Sequence, residues 1–497
     1  MAIDTQLIKK LVSPATHSPL QLGDDGSLVA QDRSTVIEIT DGIPVFWTST
    51  PNSARPAISC EVSVLIMARN EGGNIGEVVR ITADALSKRG SPFEIIIIDG
   101  ASTDDTVVRA SEAGARVIAQ QSQGYAQGLL EGLSAVRGRY VVTLDGDCSH
   151  DPALLDRFLA AARPGTIVVG SRWMAGGGYS GPLHRGLLSR ALSLIFSVGL
   201  RIPLTDLSSG YRVYARETID PHSYSSQDFS ILLEMLIRAV NNGYEVTEVP
   251  LHYQPRKEGS SKARLIAFGR SYLTTLRKMW LLRNDGTSAD YEDRAFNSLN
   301  LIQRWWQRRR FSTIRSLLGE LPEQGELLDI GCGSSKITQS IPSGVAFDSS
   351  LRKLRFLSHS HQKRVCGSAM FLPFAPASFD VMIHSQTLQH LPKSDEIFAA
   401  LHRILRPEGI LIIGTVDSSN RISRLIHRLY RFFMPYASPE ISSSHSPGEL
   451  IEGLARNGFS IEQTRSILAT EIIIRARRRS APQTNKANGS VTAAELF

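Results

Sequence analysis

From Val62 onward, short uninterrupted apolar runs alternate with longer segments of helical periodicity. The runs Val62–Met67, Phe93–Ile98, Arg116–Ala119 and Tyr140–Leu144 predict strands, with helical stretches between them. Strands that are apolar throughout are buried on both faces, so this β-α-β-α rhythm predicts a parallel sheet covered by helices on both sides. The rhythm stops near Arg283, and Asn284-Asp285-Gly286-Thr287-Ser288 reads as a boundary. A basic, aromatic helix over 300–318 follows as a connector. At Glu326 the rhythm restarts, with strands predicted at Leu327–Ile330, Val345–Phe347, Phe379–His384 and Ile410–Gly414. The chain thus divides into a β-rich piece over 1–50, an α/β domain over 61–283, a connector over 284–318, a second α/β domain over 319–478 and a polar tail over 480–497 that is expected to be disordered. The Ser-, Pro- and Asn-rich stretch Thr48–Ser59 reads as a linker.

Composition narrows the function classes. A chain of 497 residues exceeds what one core serves, in keeping with several domains. The net charge of +7 is modest, and its basic runs, Arg304–Arg310 and Arg475–Arg479, read as a solvated helix face and a frayed tail. With almost no aromatics interleaved among them, nucleic acid is not an expected partner. Cys60, Cys148, Cys332 and Cys366 stand far apart without a C-x-x-C pair, which implies neither a disulfide framework nor a cysteine metal site. The expected location is the cytoplasm, since the amino terminus has no signal-peptide pattern and no stretch approaches the roughly 20 apolar residues of a spanning helix. The nearest candidate, Leu187–Leu204, is interrupted by Arg190, Arg201 and Pro203. It reads either as a core helix or as an amphipathic one resting on the inner face of the membrane.

Candidate chemistry sits at predicted strand ends. The strand Tyr140–Leu144 stops at Asp145-Gly146-Asp147, placing two carboxylates at the carboxyl edge of a sheet, where open α/β sheets bind ligands. Hard oxygen ligands at that spacing suit Mg²⁺ or Mn²⁺ bridging a diphosphate. Two other strands end in Ala68-Arg69-Asn70-Glu71 and in Asp99-Gly100-Ala101-Ser102-Thr103-Asp104, so more acidic groups gather at the same edge. Downstream come Gly170-Ser171-Arg172, Gly176-Gly177-Gly178, Arg185, Asp206-Leu207-Ser208-Ser209-Gly210-Tyr211-Arg212, Glu234, and Arg256 with Gly259-Ser260-Ser261-Lys262.

As an ordered set over 61–283 these motifs resemble the inverting family-two glycosyltransferases of the GT-A fold, in their dolichol-phosphate mannosyltransferase-like branch. The resemblance implies a nucleotide-diphospho-sugar donor and a divalent cation. It implies that Glu71, Asp99 and Asp104 hold the nucleoside, and that Asp145 and Asp147 meet the metal and diphosphate. It further implies that Arg256 and Lys262 approach phosphates from a loop, while Arg172, Arg185 and Ser189 meet the acceptor, a polyprenyl phosphate or a saccharide. An ionised lipid phosphate needs no general base, whereas a hydroxyl does, and there Asp206 is the candidate, its other reading being a turn cap. Ser149 stands where this branch carries a further polar metal ligand.

The second domain opens on Leu327-Leu328-Asp329-Ile330-Gly331-Cys332-Gly333-Ser334, a strand running into a glycine-rich turn, and a later strand ends at Asp348. Glycines allow close backbone approach to a ligand, and a carboxylate at the next strand end can accept ribose hydroxyls. With Leu372-Pro373-Phe374, Ser378-Phe379-Asp380, Leu388-Gln389-His390-Leu391 and Leu405-Arg406-Pro407-Glu408-Gly409, the set resembles the class I S-adenosylmethionine-dependent methyltransferases. That resemblance places Asp329, Gly331 and Gly333 along the methionine portion of the cofactor, Asp348 at the ribose, and Ser368 with Phe371 or Leu372 at the adenine. In relatives an Asp often occupies the Ser368 position. His390 reads either as an orienting group for an acceptor hydroxyl or as a packed helix-start histidine.

The first 45 residues resemble small zinc-ribbon modules, with Ser13, Thr16, Ala30 and Arg33 where the cysteines would fall, so no zinc is expected. The whole reads as a bifunctional transferase of surface-glycan biosynthesis, transferring a sugar and a methyl group. The alternative is a glycosyltransferase carrying a degenerate methyltransferase-like scaffold.

Overall fold

The computed structural model describes residues 3–46, 56–254, 265–320, 325–360, 363–417 and 445–479 except 469, with isolated positions between 421 and 426. The chain forms two compact units, one spanning 48–291 with 355–357, the other combining 1–47, 292–354 and 358–497.

Strands run in chain order as β1 (Leu20–Leu22), β2 (Leu28–Ala30), β3 (Val36–Thr40), β4 (Ile43–Val45), β5 (Cys60–Ala68), β6 (Phe93–Asp99), β7 (Arg116–Ala119), β8 (Gly138–Asp145), β9 (Thr166–Ser171), β10 (Gly178–Tyr179), β11 (Arg212–Ala215), β12 (Glu245–Pro250) and β13 (His252–Tyr253). They continue as β14 (Leu327–Ile330), β15 (Val345–Asp348), β16 (Arg364–Cys366), β17 (Phe379–Ser385), β18 (Leu405–Val416), β19 (Phe459–Ile467) and β20 (Glu471–Arg478).

In the unit over 48–291, seven strands are ordered β12-β9-β11-β8-β5-β6-β7. Only β11 runs antiparallel to its neighbours. The chain moves outward from β5 through β6 to β7, then returns to lay β8 on the other side of β5. This reversal makes a topological switch point between β5 and β8, and a ligand crevice at their carboxyl ends. The apolar centres of β5 and β6 are buried, as expected for strands covered on both faces. The boundary stretch belongs to this unit: Arg283 is buried and donates to Asp290 at 2.6 and 2.8 Å.

The other unit holds an 11-stranded sheet ordered β1-β2-β3-β4-β16-β15-β14-β17-β18-β20-β19. Its centre, β16 to β18, is parallel and switches direction at β14. The amino-terminal piece is not separate: β4 pairs in parallel with the edge strand β16 at Val45 and Cys366. Phe46 donates its amide to the Cys366 carbonyl at 2.9 Å, and Val12 to that of Pro373 at 3.0 Å. Leu7, Leu11, Leu20, Leu28 and Ile37 enter the same core as Phe347, Phe374 and Phe379. At two positions proposed for zinc-ribbon cysteines there are hydroxyls that tie two turns together, Ser13 to Thr35 at 2.8 Å and Thr16 to Ser34 at 3.2 Å. No cluster of three or more metal-ligating side chains occurs among the described residues.

Three expectations change here. Helix Leu301–Leu318, capped by Asn300, is no bare connector: Ile314, Leu317 and Leu318 are buried against Leu327, Val381 and Ile473. The run Arg475–Arg479 is not a frayed tail, because Arg475 to Arg478 lie in β20, with Arg475 and Arg477 both paired to Glu462 on β19. The signal was an apolar stretch, Ile472-Ile473-Ile474, ahead of the arginines in a strand paired on both sides. The amphipathic helix spans Leu183–Leu200, four residues earlier than expected, and ends where Arg201 adopts a left-handed φ of 52°. The tail over 480–497 and most of the linker lie outside the described residues.

Candidate functional site

Register places the acidic groups of the first unit. Across β5, Met67 pairs with Asp145 of β8 and Ala68 with Asp99 of β6. Asp145 and Asp99 therefore flank one strand at its carboxyl end, about 10 Å apart by two interstrand spacings. Asp99 accepts the Ser102 amide through Oδ2 at 3.1 Å, while its Oδ1 is buried without a hydrogen-bond partner. A buried orphan acceptor is costly, and a ligand hydroxyl or N–H would satisfy it. Glu71 follows β5 and accepts from Asn74 at 3.2 Å. Asp104 is committed within the fold: it takes the Gly72 and Thr106 amides at 3.0 and 3.1 Å and the Thr106 hydroxyl, so it shapes the loop that carries Glu71.

Beyond β8 the chain turns sharply, with Cys148 at a φ of 61°. The Asp145 side chain is 41% exposed. Asp147 is buried and accepts the Ser149 amide at 3.0 Å. His150 accepts the Asp145 amide through Nδ1 at 3.3 Å, which gives it a strand-end hydrogen-bonding role. The Ser149 hydroxyl is buried with no hydrogen-bond partner. Two carboxylates and an unmet hydroxyl are hard oxygen donors of the kind that would hold Mg²⁺ or Mn²⁺.

A second cluster adjoins the first. Arg172, following β9, grips the buried Asp206 with Nε at 2.6 Å and Nη2 at 2.9 Å, and also donates to Ser189 at 2.9 Å and Ser208 at 2.7 Å. Burial works to raise the Asp206 carboxyl, but the Arg172 guanidinium outweighs it and holds the group below the ordinary carboxylate range. Trp173, Tyr179 and Tyr253 surround the guanidinium at 5.3 to 6.0 Å. The loop from Asp206 reaches back to the carboxylates: Thr143 donates to the Gly210 carbonyl at 2.7 Å, and a Cβ at Gly210 would lie 3.6 Å from Asp145. Ser189 is thus engaged by Arg172 and Ser208, while Arg185 is exposed on the first turn of its helix. Arg256 and Lys262 lie outside the described residues.

In the second unit the glycine turn follows β14. Gly331 and Gly333 have φ of 68° and 54°, conformations that favour glycine. Asp348 at the end of β15 accepts the Gly333 and Ser350 amides at 2.8 and 2.7 Å. Asp329 is buried and takes the Thr338 hydroxyl at 2.5 Å. Burial, helped by the Asp348 charge, pushes Asp329 up to about 7 against the opposing Thr338 bond. Ser368 accepts the Met370 amide at 3.2 Å. Phe371 is 66% exposed, whereas Leu372 is in the core, so of these two Phe371 is the one open to a ligand.

Sequence reasoning missed Glu292, forty residues ahead of the turn. It accepts the Ser334 amide and hydroxyl at 3.1 and 2.7 Å and pairs with Lys353, and a Cβ at Gly333 would come within 2.9 Å of its carboxyl carbon. Burial opposes its charge, but Lys353 holds the carboxyl below its usual range. Nothing local in the sequence marks it, since its partners are distant in the chain. Asp329, Asp348 and Glu292 gather about the turn against one lysine, an acidic cluster that Glu292 itself closes over the glycines.

Residues 63–221 match the family model described as Glycosyl transferase family 2, and residues 328–413 match that of a methyltransferase domain. Over 251 residues the chain is 29% identical to the low-salt glycan biosynthesis hexosyltransferase Agl6 of Haloferax volcanii, covering 49% of this chain and 58% of that protein. Over 231 residues it is 27% identical to the dolichol-phosphate mannosyltransferase of Pyrococcus furiosus, covering 45% of this chain and 63% of that protein. The chain therefore spans about three-fifths of the length of these two relatives. Among solved structures, glucosyl-3-phosphoglycerate synthase from Mycobacterium tuberculosis in complex with Mn²⁺, UDP and glucosyl-3-phosphoglycerate aligns at 22% identity and a TM-score of 0.36, covering 44% of this chain and 80% of that one.

Proposed function

Because the chain carries a family-two glycosyltransferase domain of GT-A fold followed by a methyltransferase domain, we propose that it is a bifunctional transferase of glycan biosynthesis. The first domain transfers a sugar from a nucleotide-diphospho-sugar to a polyprenyl phosphate, and the second methylates a glycan from S-adenosylmethionine. The observation that carries the first half is the placement of Asp99 and Asp145 on either side of β5 at the switch point. That spacing lets one ligand reach Asp99 with its nucleoside and Asp145 with its diphosphate.

Sugar–phosphate cleavage builds negative charge on the leaving diphosphate. A divalent cation held by Asp145 and Asp147 would supply the charge stabilisation there. Arg172, fixed by Asp206, presents a positive group beside that edge for an anionic acceptor. Asp206 is spent on this arginine, which favours an acceptor that arrives ionised, a lipid phosphate, over a hydroxyl that needs a base.

The exposed side chains of Leu183, Leu187, Leu194, Ile195 and Val198 support a lipid acceptor, as do Leu273 and Trp280 on the helix Leu265–Asn284. These two helices meet through Phe196 and Tyr272. Arg185, Arg190, Arg277 and Lys278 are exposed on the same pair of helices. An apolar face with basic residues suits peripheral contact with an anionic membrane surface. No helix among the described residues is long and apolar enough to cross a membrane.

For the second half, Asp348, Asp329 and the Gly331–Gly333 turn would hold the ribose and methionine portions of the cofactor, with Phe371 at the adenine. A scaffold reading of this domain is favoured by Glu292, which bridges Ser334 and Lys353 over the glycine turn. Calorimetry with S-adenosylmethionine decides between them: heat of binding supports an enzyme, and none supports the scaffold. For the first half, UDP- and GDP-sugars are screened with Mn²⁺ by thermal shift. The true donor raises the melting temperature only with metal present, and a screen without any metal-dependent shift refutes the donor site.

A further inference from the structure

Helix Leu301–Leu318 is anchored along one side. Asn300 caps it, accepting the Ile302 and Gln303 amides at 3.0 and 3.2 Å. Gln303, Ile314 and Leu317 are buried, and Arg310 pairs with the buried Glu471 at 2.9 Å. These positions recur at helical spacing and define the inward face. The opposite stripe, Leu301, Ile302, Trp305, Arg308, Arg309 and Ser312, faces solvent.

That stripe changes character along the helix axis. At its amino end Leu301 and Ile302 are 66% and 72% exposed, and Leu299 just before the cap is 81% exposed. Trp305 follows, 46% exposed, and after it come the exposed Arg308 and Arg309, the first lying over the Phe296 ring at 5.5 Å. No acidic residue occurs from Leu299 to Leu318. At the rise of an α-helix, Trp305 stands about 5 Å and the two arginines about 10 Å beyond Leu301 and Ile302. Single apolar side chains on a surface need no account, but three adjoining ones beside a tryptophan mark an interaction surface.

We infer that this stripe is a lipid-docking surface on the unit that holds the methyltransferase domain, and that its occupant is the face of a bilayer carrying anionic headgroups. Interfacial helices bury their apolar side chains about 5–10 Å below the headgroup boundary. Tryptophan prefers the level of that boundary, and arginine gains from anionic lipid above it. The order leucine and isoleucine, tryptophan, arginine repeats this layering over the same depth, so the helix enters amino end first. The unopposed positive charge complements acidic headgroups, and the apolar end has no use on a nucleic acid, whose affinity comes from phosphates. The inference is independent of the sugar acceptor and of the helix Leu183–Leu200, which belongs to the other unit.

The test uses the full-length chain carrying Leu187→Gln, Leu194→Gln and Trp280→Gln, which silence the other membrane-facing helices. Flotation is measured with vesicles of equimolar phosphatidylcholine and phosphatidylglycerol, and with phosphatidylcholine alone. The expected result is binding to the anionic vesicles only. Ile302→Gln with Trp305→Gln should weaken it about tenfold, and Arg308→Gln with Arg309→Gln by a similar factor, without change in melting temperature. Vesicles with brominated acyl chains should quench the tryptophan fluorescence, and Trp305→Phe should remove that quenching. Flotation that both pairs leave intact, equal binding to the two vesicle types, or quenching that survives Trp305→Phe overturns the inference. So does a chain that no longer floats once the other helices are silenced, in which case their contact stands and this one falls. Self-association in solution that Ile302→Gln abolishes, without vesicle binding, assigns the stripe to a second copy and overturns it as well.

Discussion

Asp145 and Asp329 are both strand-end carboxylates, yet their surroundings give them opposite tasks. Asp145 is partly open to solvent, 3.6 Å from His150, and in the proposed reading it meets a cation. Asp145→Asn should cost about 10²–10³ in sugar transfer and abolish the metal-dependent thermal shift with a nucleotide-sugar, while leaving the unliganded melting temperature in place. Asp329 is buried and held up at about 7, against an ordinary 3.8. With the folded value raised, its contribution to stability is full below about pH 4 and is lost as pH rises through 7. A cationic ligand reverses this preference by favouring the carboxylate, so binding releases a proton. Affinity for S-adenosylmethionine should therefore rise about tenfold between pH 6 and 8. Calorimetry in buffers of different ionisation heat checks the released proton, and a pH-independent affinity contradicts the account. The carboxylates themselves were legible in the sequence because each closes an apolar run. Their partners were not: Glu292 and Lys353 meet only through the fold, and Asp206 reads equally as a base or a cap until Arg172 is seen gripping it.

At the scale of elements, that grip sets a clear expectation. Breaking a buried ion pair leaves a charge stranded, at about 3–5 kcal/mol. Asp206→Asn should thus lower the melting temperature together with activity, whereas loss of turnover at unchanged stability would point to a general base. The helix Leu183–Leu200 is a different case. Its outward leucines touch little, so Leu187→Gln with Leu194→Gln should leave stability within about 0.5 kcal/mol and weaken flotation with anionic vesicles; undiminished flotation excludes this face as the membrane contact. The buried parallel strands were readable almost to the residue, since apolar runs such as Phe93–Ile98 have one stable solution in an α/β sheet. The β19–β20 hairpin escaped notice because its outward arginines masked a strand whose other face, Ile472 and Ile474, enters the core. The connector helix was misjudged for a similar reason, its arginines being more conspicuous than Ile314 and Leu317.

For the whole molecule, the unexpected feature is the sheet shared between the first 46 residues and the methyltransferase domain. Removing residues 1–46 would strip Leu7, Leu11 and Leu28 from a common core and bare the edge of β16. At about 2–5 kcal/mol for each large buried side chain, the loss approaches the 5–15 kcal/mol total stability typical of a domain. The truncated chain should lose S-adenosylmethionine binding while keeping its thermal shift with the nucleotide-sugar; retention of cofactor binding would show the amino-terminal strands to be dispensable. The pairing also carries a consequence in time. Val45 leaves the ribosome about 320 residues before its partner Cys366, an interval of roughly 15–60 s at common elongation rates. Throughout that wait, the β1–β4 piece has an open β4 edge and five large apolar side chains without the core they enter, while an entire second domain is synthesised and folds between the two halves. The speed of translation and the company of a chaperone therefore govern the yield of the methyltransferase half more than that of the glycosyltransferase half.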